Sequence, residues 1–415
     1  MHDLSLFGDR RFLILFIART CSVMGSAFGP VALAFGVLDL PGATASTLAV
    51  VLTAQAVPEI ALMLFGGVIA DRLPRHLLMT GAELVSALAF GVMAVLFLTG
   101  TASTAALVVC AVFVGVSFAL FYPALVGIVP EVVPPDRLQT ANALLRLGMN
   151  GARLLGVAAA GAMIALVGSG WALAVNAAAF VLSAVLLVTL RLPRDRDAGP
   201  SGSMLVDLRQ GWREFSSRRW LWAGVLHFSL VFAAMQAAFA VLGPVVAKAD
   251  LGGAPAWSAV LTGQTVGTLL GAVVAIRIRP RRPLLVAVPM IFGVALPMFL
   301  LGFGAPLIAV VLGGFVMGIA FNVFGVLFET TMQREVPADA LSRVSAYDAL
   351  GSFLFGPLGL IAAGPLAARF GERPALLLCG CLVSAATLLT LLVPDVRRIR
   401  ARTGGGLLPE PAPGG

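Results

Sequence analysis

Two stretches displaced by 203 residues decide the reading of this chain: GVSFALFYPALVGIVPEVVPPDRLQTANALLRLGMNGARLLGVAAAG (Gly115–Gly161) and GIAFNVFGVLFETTMQREVPADALSRVSAYDALGSFLFGPLGLIAAG (Gly318–Gly364). In that register Gly115 falls on Gly318, Phe118 on Phe321, Phe121 on Phe324, Val133-Pro134 on Val336-Pro337, Asp136 on Asp339, Leu138 on Leu341, Gly156 on Gly359 and Gly161 on Gly364. One register held over about fifty residues is the mark of an internal repeat. The chain is therefore expected to be two related halves, the arrangement in which two bundles rock about a central site.

Composition sets the solvent. Hydrophobic residues make up 59% of the chain, charged residues only 12%, and mean hydropathy is +1.00. Ordinary soluble domains hold about 45–50% apolar and about 25% charged residues. So little polar surface cannot cover the chain in water, and lipid is expected to surround it. Apolar runs fall at Phe12–Leu38, Ser46–Ala70, Leu77–Leu98, Ala105–Val129, Ala141–Val167 and Trp171–Leu190, then at Leu221–Val246, Trp257–Ile278, Leu284–Phe303, Ala305–Glu329, Ala346–Ala368 and Ala375–Val393. At roughly 20 residues per span, six plus six fit the 415 residues. The expected fold class is an all-α membrane protein of twelve transmembrane helices in two six-helix bundles.

Arginine and lysine mark the expected cytoplasmic loops. Alternate connections carry Arg10 and Arg11, Arg72 and Arg75, Arg137, the run Arg191 to Arg219, Arg277 to Arg282, Arg334, and Arg397 to Arg402. The other set holds little beyond Lys248, Arg369 and Arg373. Both termini are thus expected in the cytoplasm, with the chain in the inner (plasma) membrane. Arg10 and Arg11 precede an apolar run too long for the 7–15-residue core of a signal peptide, so an uncleaved first helix is expected. The bundles are assigned to residues 1–190 and 220–396, with a linker at 191–219 and a disordered tail at 397–415. Within the linker Leu205, Leu208, Trp212 and Phe215 recur at helical spacing among basic residues, as in an amphipathic helix lying on the membrane. The net charge of +8 is spread over short loops, which disfavours a nucleic-acid partner. Cys21, Cys110, Cys379 and Cys381 lie in apolar runs and read as packing residues.

The most specific local signal is GGVIADRLPRH, Gly66 to His76. It resembles the signature loop of the major facilitator superfamily, in which a small residue precedes an acidic and several basic ones. The resemblance implies that Gly67 lets helices approach closely and that Asp71, Arg72 and Arg75 hold the cytoplasmic side closed when the protein faces outward. The matching second-half loop, Gly271 to Arg282, keeps Arg277, Arg279, Arg281 and Arg282 but has Ala275 near the acidic place. VPPDRLQTANAL, Val133 to Leu144, resembles a segment of the branch that includes enterobactin exporters and macrolide efflux pumps. Physically, Asp136 and Asp339 are placed to cap the fifth and eleventh helices. Gly151, Gly156 and Gly161, with Gly351, Gly356-Pro357, Gly359 and Gly364, resemble the glycine-rich antiporter motif, though Leu154 and Val157 stand where a proline would strengthen the match. The resemblance spans about Phe12 to Val393.

Ionisable residues inside spans are costly and mark cavities or partners. At about 1.5 Å per residue, Glu59 lies roughly 18 Å and Glu83 roughly 9 Å from the cytoplasmic ends of their helices. Glu59, then Asp348 and Glu83, are the proton-coupling candidates, with Arg19, Arg146 and Arg153 as charge partners. The competing expectation is a permanent bridge from Glu59 to Arg19 or Arg153. Arg146, Asn150 and Arg153 share a helix face. Gln55, Asn150, Asn176, His227, Gln236, Gln264 and Asn322 are candidates for the cavity or for interhelical hydrogen bonds, and Glu329 is expected to pair with an arginine. No P-loop, metal cluster or nucleophile–base pair occurs, so no cofactor, no metal and no enzymatic activity is expected. The expected function is export of a small hydrophobic or siderophore-like molecule by proton antiport, as a monomer. An uptake symporter would share every global feature; an embedded enzyme or a channel stands further off.

Overall fold

In a computed structural model of the protein, residues 3–134, 137–190 and 212–399 are described. They form helices long and apolar enough to cross a membrane, twelve in all, with no strand among the described residues. The first bundle holds α1 (Arg10–Leu38), α2 (Ala45–Arg72), α3 (Arg75–Leu98), α4 (Thr104–Val132), α5 (Leu138–Val167) and α6 (Ser169–Val188). The second holds α7 (Arg219–Leu251), α8 (Ala254–Arg277), α9 (Pro283–Gly302), α10 (Leu307–Glu335), α11 (Ala338–Leu354, continued by Gly356–Phe370) and α12 (Glu372–Leu392). Because the spans alternate in direction, Asp3 and Ile399 lie at one end of the molecule, called proximal below. The other end is distal.

The repeat is written into the packing. Helices α4 and α10 begin and end at equivalent residues, Thr104 with Leu307 and Val132 with Glu335. Contacts pair likewise: α2 with α4 as α8 with α10, α3 with α6 as α9 with α12, and α1 with α6 as α7 with α12. At Gly115 a Cβ would collide with the backbone carbonyl of Gln55 in α2, and at Gly318 with that of Gln264 in α8. Gly156 meets the Met24 carbonyl of α1, and Gly359 that of Ala233 in α7. Gly168 and Gly371, 203 apart again, end α5 and α11 at φ of 88° and 86°, a left-handed value that suits glycine.

Several spans are not uniform helices. The first breaks at Ala27, the eleventh at Phe355, and the seventh carries π-helical segments at Gln236–Leu242 and Ala247–Leu251. Pro58, Pro123, Pro130, Pro289, Pro297 and Pro365 sit inside spans, where neighbouring helices tolerate the bend.

Of the two expected caps, one falls outside the described residues and one differs from the structure. Asp136 lies outside the described residues, and α5 starts at Arg137, which makes no side-chain capping bond. The N-cap position of helix α11 is occupied by Pro337, which makes no capping bond, so Asp339 sits in the first turn rather than before it. A proline at that place pre-sets the turn and leaves the aspartate two positions too late to be the N-cap. In the linker, Leu205 and Leu208 also fall outside the described residues, whereas residues 212–216 form one helical turn. That turn is tied to the second bundle rather than lying free: Trp212 and Phe215 pack on Tyr347 of α11 with ring centroids 5.6 and 6.0 Å apart. Cys110 and Cys379 are buried, Cys21 is half-buried and Cys381 is exposed, all as free thiols.

The glycine crossings give a direct test. Gly115→Ala and Gly318→Ala each force backbone apart and are expected to cost about 1–3 kcal/mol, read as a lowered melting temperature and poor expression. Gly81→Ala, where a Cβ meets nothing within 4 Å, is expected to leave melting unchanged.

Candidate functional site

The two bundles touch along two equivalent seams. Gly161 of α5 abuts Ser258 of α8, and Gly364 of α11 abuts Ser46 of α2. All four residues lie toward the distal end. There too the Lys248 ammonium of α7 bonds the Asp39 carboxylate of α1 at 2.6 Å and the Leu38 carbonyl at 2.5 Å. Between described residues these are the inter-bundle polar ties, and both are distal. The sequence had shown Lys248 only as a stray cation; Asp39, at the end of an apolar run, gave no signal before its partner was known. An apolar groove of about 540 Å³ runs beside the second seam, between Ser46, Thr53, Val57 and Pro58 of α2 and Ile361 and Pro365 of α11.

Helix α5 shows where the cleft lies. Leu155 and Leu166 are 66% and 83% exposed on one side, as a lipid-facing stripe should be. Arg146, Asn150 and Arg153 are exposed on the opposite side. Two arginines exposed at membrane depth on the non-lipid face require an internal, water-accessible cleft. Glu59 of α2 is half-buried and makes no side-chain hydrogen bond or ion pair with a described residue. Helical geometry puts it on the side of α2 away from the apolar groove. The alternative of a permanent bridge from Glu59 to Arg19 or Arg153 is thus not what the structure holds.

Arg19 instead neighbours Glu83. Both are buried, at 7% and 2% exposure, inside the first bundle. Asp348 of α11 is half-buried beside the like charge of Glu329. Glu329 itself accepts from Gln333 at 3.3 Å and pairs with no arginine among the described residues, contrary to expectation.

The polar candidates divide. Gln55, Gln236, Gln264 and Asn322 are half-buried. Asn176 is fully buried where α6 crosses α1 at Gly25 and Gly29, so it belongs to a helix crossing rather than to the cleft. His227, 2% exposed, sets its Nε2 3.1 Å from the Thr387 hydroxyl of α12, an interhelical bond within the second bundle. The signature-loop side chains Gly67, Asp71 and Arg72 lie outside the described residues. Arg75 bonds Glu131 of α4 at 2.9 Å.

Sequence reasoning missed an aromatic wall. Phe228 and Phe232 of α7, Phe321, Phe324 and Phe328 of α10, and Phe353 of α11 form a chain of rings with neighbouring centroids 5.1–6.4 Å apart. Their spacing within α7 (four apart) and α10 (three and four apart) is the signal that would have found them.

The distal ion pair yields a prediction. Its carboxylate and ammonium are partly solvated, so it contributes about 0.2–1 kcal/mol to closure of that end. Lys248→Gln is expected to raise the distal-open population by up to about fivefold, read by spin-label distances between residues 43 and 252. The charge-swapped double variant Asp39→Lys/Lys248→Asp is expected to restore it.

Comparison with known proteins fits this geometry. Residues 12–360 match the family model described as Major Facilitator Superfamily. The chain is 25% identical over 362 residues to the uncharacterized MFS-type transporter YkuC of Bacillus subtilis, covering 82% of each. It is 27% identical over 408 residues to the multidrug efflux pump Tap of Mycolicibacterium fortuitum, covering 93% of this chain and 96% of that one. Among solved structures it superposes on the nucleoside transporter NupG with a TM-score of 0.76 at 15% identity, over 92% of this chain and 98% of that one. It also superposes on a bacterial homologue of the lysosomal transporter Spinster, in an inward-facing, unoccupied conformation, with a TM-score of 0.65 at 16% identity over 93% and 96%. At such identities the solved structures speak for the fold.

Proposed function

The chain belongs to the major facilitator superfamily and is a multi-pass membrane transporter, and from that premise we propose that it exports a small hydrophobic or siderophore-like molecule in exchange for protons. The observation that carries the reading is the exposed face of Arg146, Asn150 and Arg153 at membrane depth, together with a Glu59 that has no partner among the described residues and a distal end tied by Asp39 and Lys248. A site of this kind, reached from one side at a time, is what alternating access needs. The excess of arginine in the proximal loops makes that end cytoplasmic in the plasma membrane, with both termini there. The cargo thus binds from the cytoplasm against the phenylalanine wall, and rocking at the Gly161 and Gly364 seams opens the distal side. Likeness to a multidrug efflux pump along nearly the whole chain supports the outward direction. Residues 1–190 and 220–396 are the rocking units, joined by the linker at 191–219. The partners are the cargo, protons and lipid, with no nucleic acid, and one chain suffices because both halves are present.

A carboxylate that meets water from either side in turn couples the two fluxes. Glu59 is first in order, Asp348 second, since both are only half-buried. Glu59→Gln keeps shape and removes the titrating proton. In proteoliposomes with an imposed pH gradient, driven efflux is expected to fall to the level of empty liposomes while downhill exchange and melting temperature hold. A stable variant that still pumps moves the assignment to Asp348. Labelled substrate that accumulates on the cytoplasmic side of wild-type vesicles would overturn export in favour of uptake.

A further inference from the structure

Inside the first bundle, behind the cleft, lies a polar cluster that the transport reading leaves unused. Glu83 of α3 accepts through Oε1 from the Ser22 hydroxyl of α1 at 2.8 Å and from the Ser183 hydroxyl of α6 at 3.1 Å. Its Oε2 is buried with no partner. Arg19, one turn before Ser22, is within electrostatic reach of Glu83 yet does not form an ion pair with it. Its Nη2 lies 3.7 Å from the Met149 sulfur of α5, its guanidinium carbon lies 4.7 Å from the centre of the Phe121 ring of α4, and its Nε has no partner.

A buried carboxylate left beside an unattached guanidinium is an expensive arrangement, since pairing would recover several kcal/mol of desolvation. The carboxylate's share of that cost is removed if the carboxyl is neutral: Oε1 is then a carbonyl receiving two hydroxyl donors, Oε2 carries the hydrogen, and the guanidinium is held by the Phe121 ring and the Met149 sulfur. We propose that Glu83 is an occluded proton site, protonated in this conformation, and that Arg19 is its resident counter-ion, parked on Phe121 until the proton leaves. On release the Oε2–H bond breaks and the proton passes to water in the cleft. The carboxylate charge is then met by Arg19 as it leaves the ring, and no other covalent bond changes. Arg19 and Ser22 both ride on the Arg10–Ser26 part of α1, whose Gly25 crosses α6 without room for a Cβ, so the exchange acts on that part of α1.

No other charge intrudes. Arg10 and Arg11 stand at the proximal start of α1, and Arg75 with its partner Glu131, beside His76, at the proximal ends of α3 and α4. Arg146 and Arg153 occupy the cleft face of α5, Glu59 lies on α2, and α6 carries no ionisable side chain.

The assignment to transport rests on the proton-coupled reading above; the proton itself does not. Infrared difference spectra of reconstituted protein, Glu83→Gln against wild type, read the carbonyl stretch of a protonated carboxylic acid. The band is expected in wild type at neutral pH, absent in Glu83→Gln and displaced in Ser183→Ala, which removes one donor to that carbonyl. If Glu83→Gln fails to fold, Ser22→Ala and Ser183→Ala read the same band. Spectra that do not differ in this region overturn the proposal. Arg19→Gln is expected to change the pH at which the band disappears; an unchanged pH profile removes Arg19 from the role. Glu83→Gln is expected to abolish gradient-driven efflux, and driven efflux that persists leaves a structural proton and overturns the coupling. Wild-type protein that drives no substrate sinks the exporter reading instead, with the band still readable.

Discussion

Contact of one helix backbone with another, made possible where a glycine lacks its Cβ, governs this molecule. Helices in lipid gain nothing from hiding apolar side chains from one another, since the tails are as apolar as leucine, so close packing must hold them. Gly115 against Gln55 and Gly318 against Gln264 lock α2 to α4 and α8 to α10. Gly156 against Met24 and Gly359 against Ala233 lock α5 to α1 and α11 to α7. Those crossings make each half a firm body. Only after that does it make sense to speak of the halves moving relative to one another.

The repeat register that aligned these glycines made much of the fold legible. Span number and most boundaries followed from apolar runs, because the hydrocarbon thickness fixes how long a run must be. The starts of α2 and α8, one residue before Ser46 and three before Trp257, show how small the residual error was. Asp339 shows where such reasoning fails: capping depends on backbone angles at a single residue, and Pro337 had already set them. Likewise the amphipathic pattern around Trp212 and Phe215 was visible, but not that Tyr347 would be their partner.

The candidate site was legible by residue type and not by partnership. A charge within an apolar run announces itself at Glu59, Glu83, Arg19 and Asp348, since each is costly where it stands. Which ones meet depends on helix rotation and on which helices are neighbours, and neither is encoded locally. Counting along the axis put Glu59 nearest the midplane; it could not show that Arg19 turns instead toward Phe121 of α4 and Met149 of α5. Asp39 was invisible for the opposite reason, since a carboxylate at a helix end needs no explanation until Lys248, 209 residues later, is found 2.6 Å away.

These interactions differ in strength in a way that suits a moving protein. The inter-bundle ion pair is partly solvated and contributes little, so it can break without cost to either bundle. At the seams near Gly161 and Gly364 a serine faces a glycine across each, so the helices can pivot or separate with little side-chain interlock to undo at those points. Inside each bundle the situation reverses, with glycine on carbonyl and buried hydroxyls bonded across helices, as Ser86 to Ser117 at 2.5 Å and His227 to Thr387 at 3.1 Å. Separation of the halves therefore costs less than distortion of either one. A conformational change driven by ligand binding has only a few kcal/mol at its disposal, and this division of strong and weak contacts confines it to the seams.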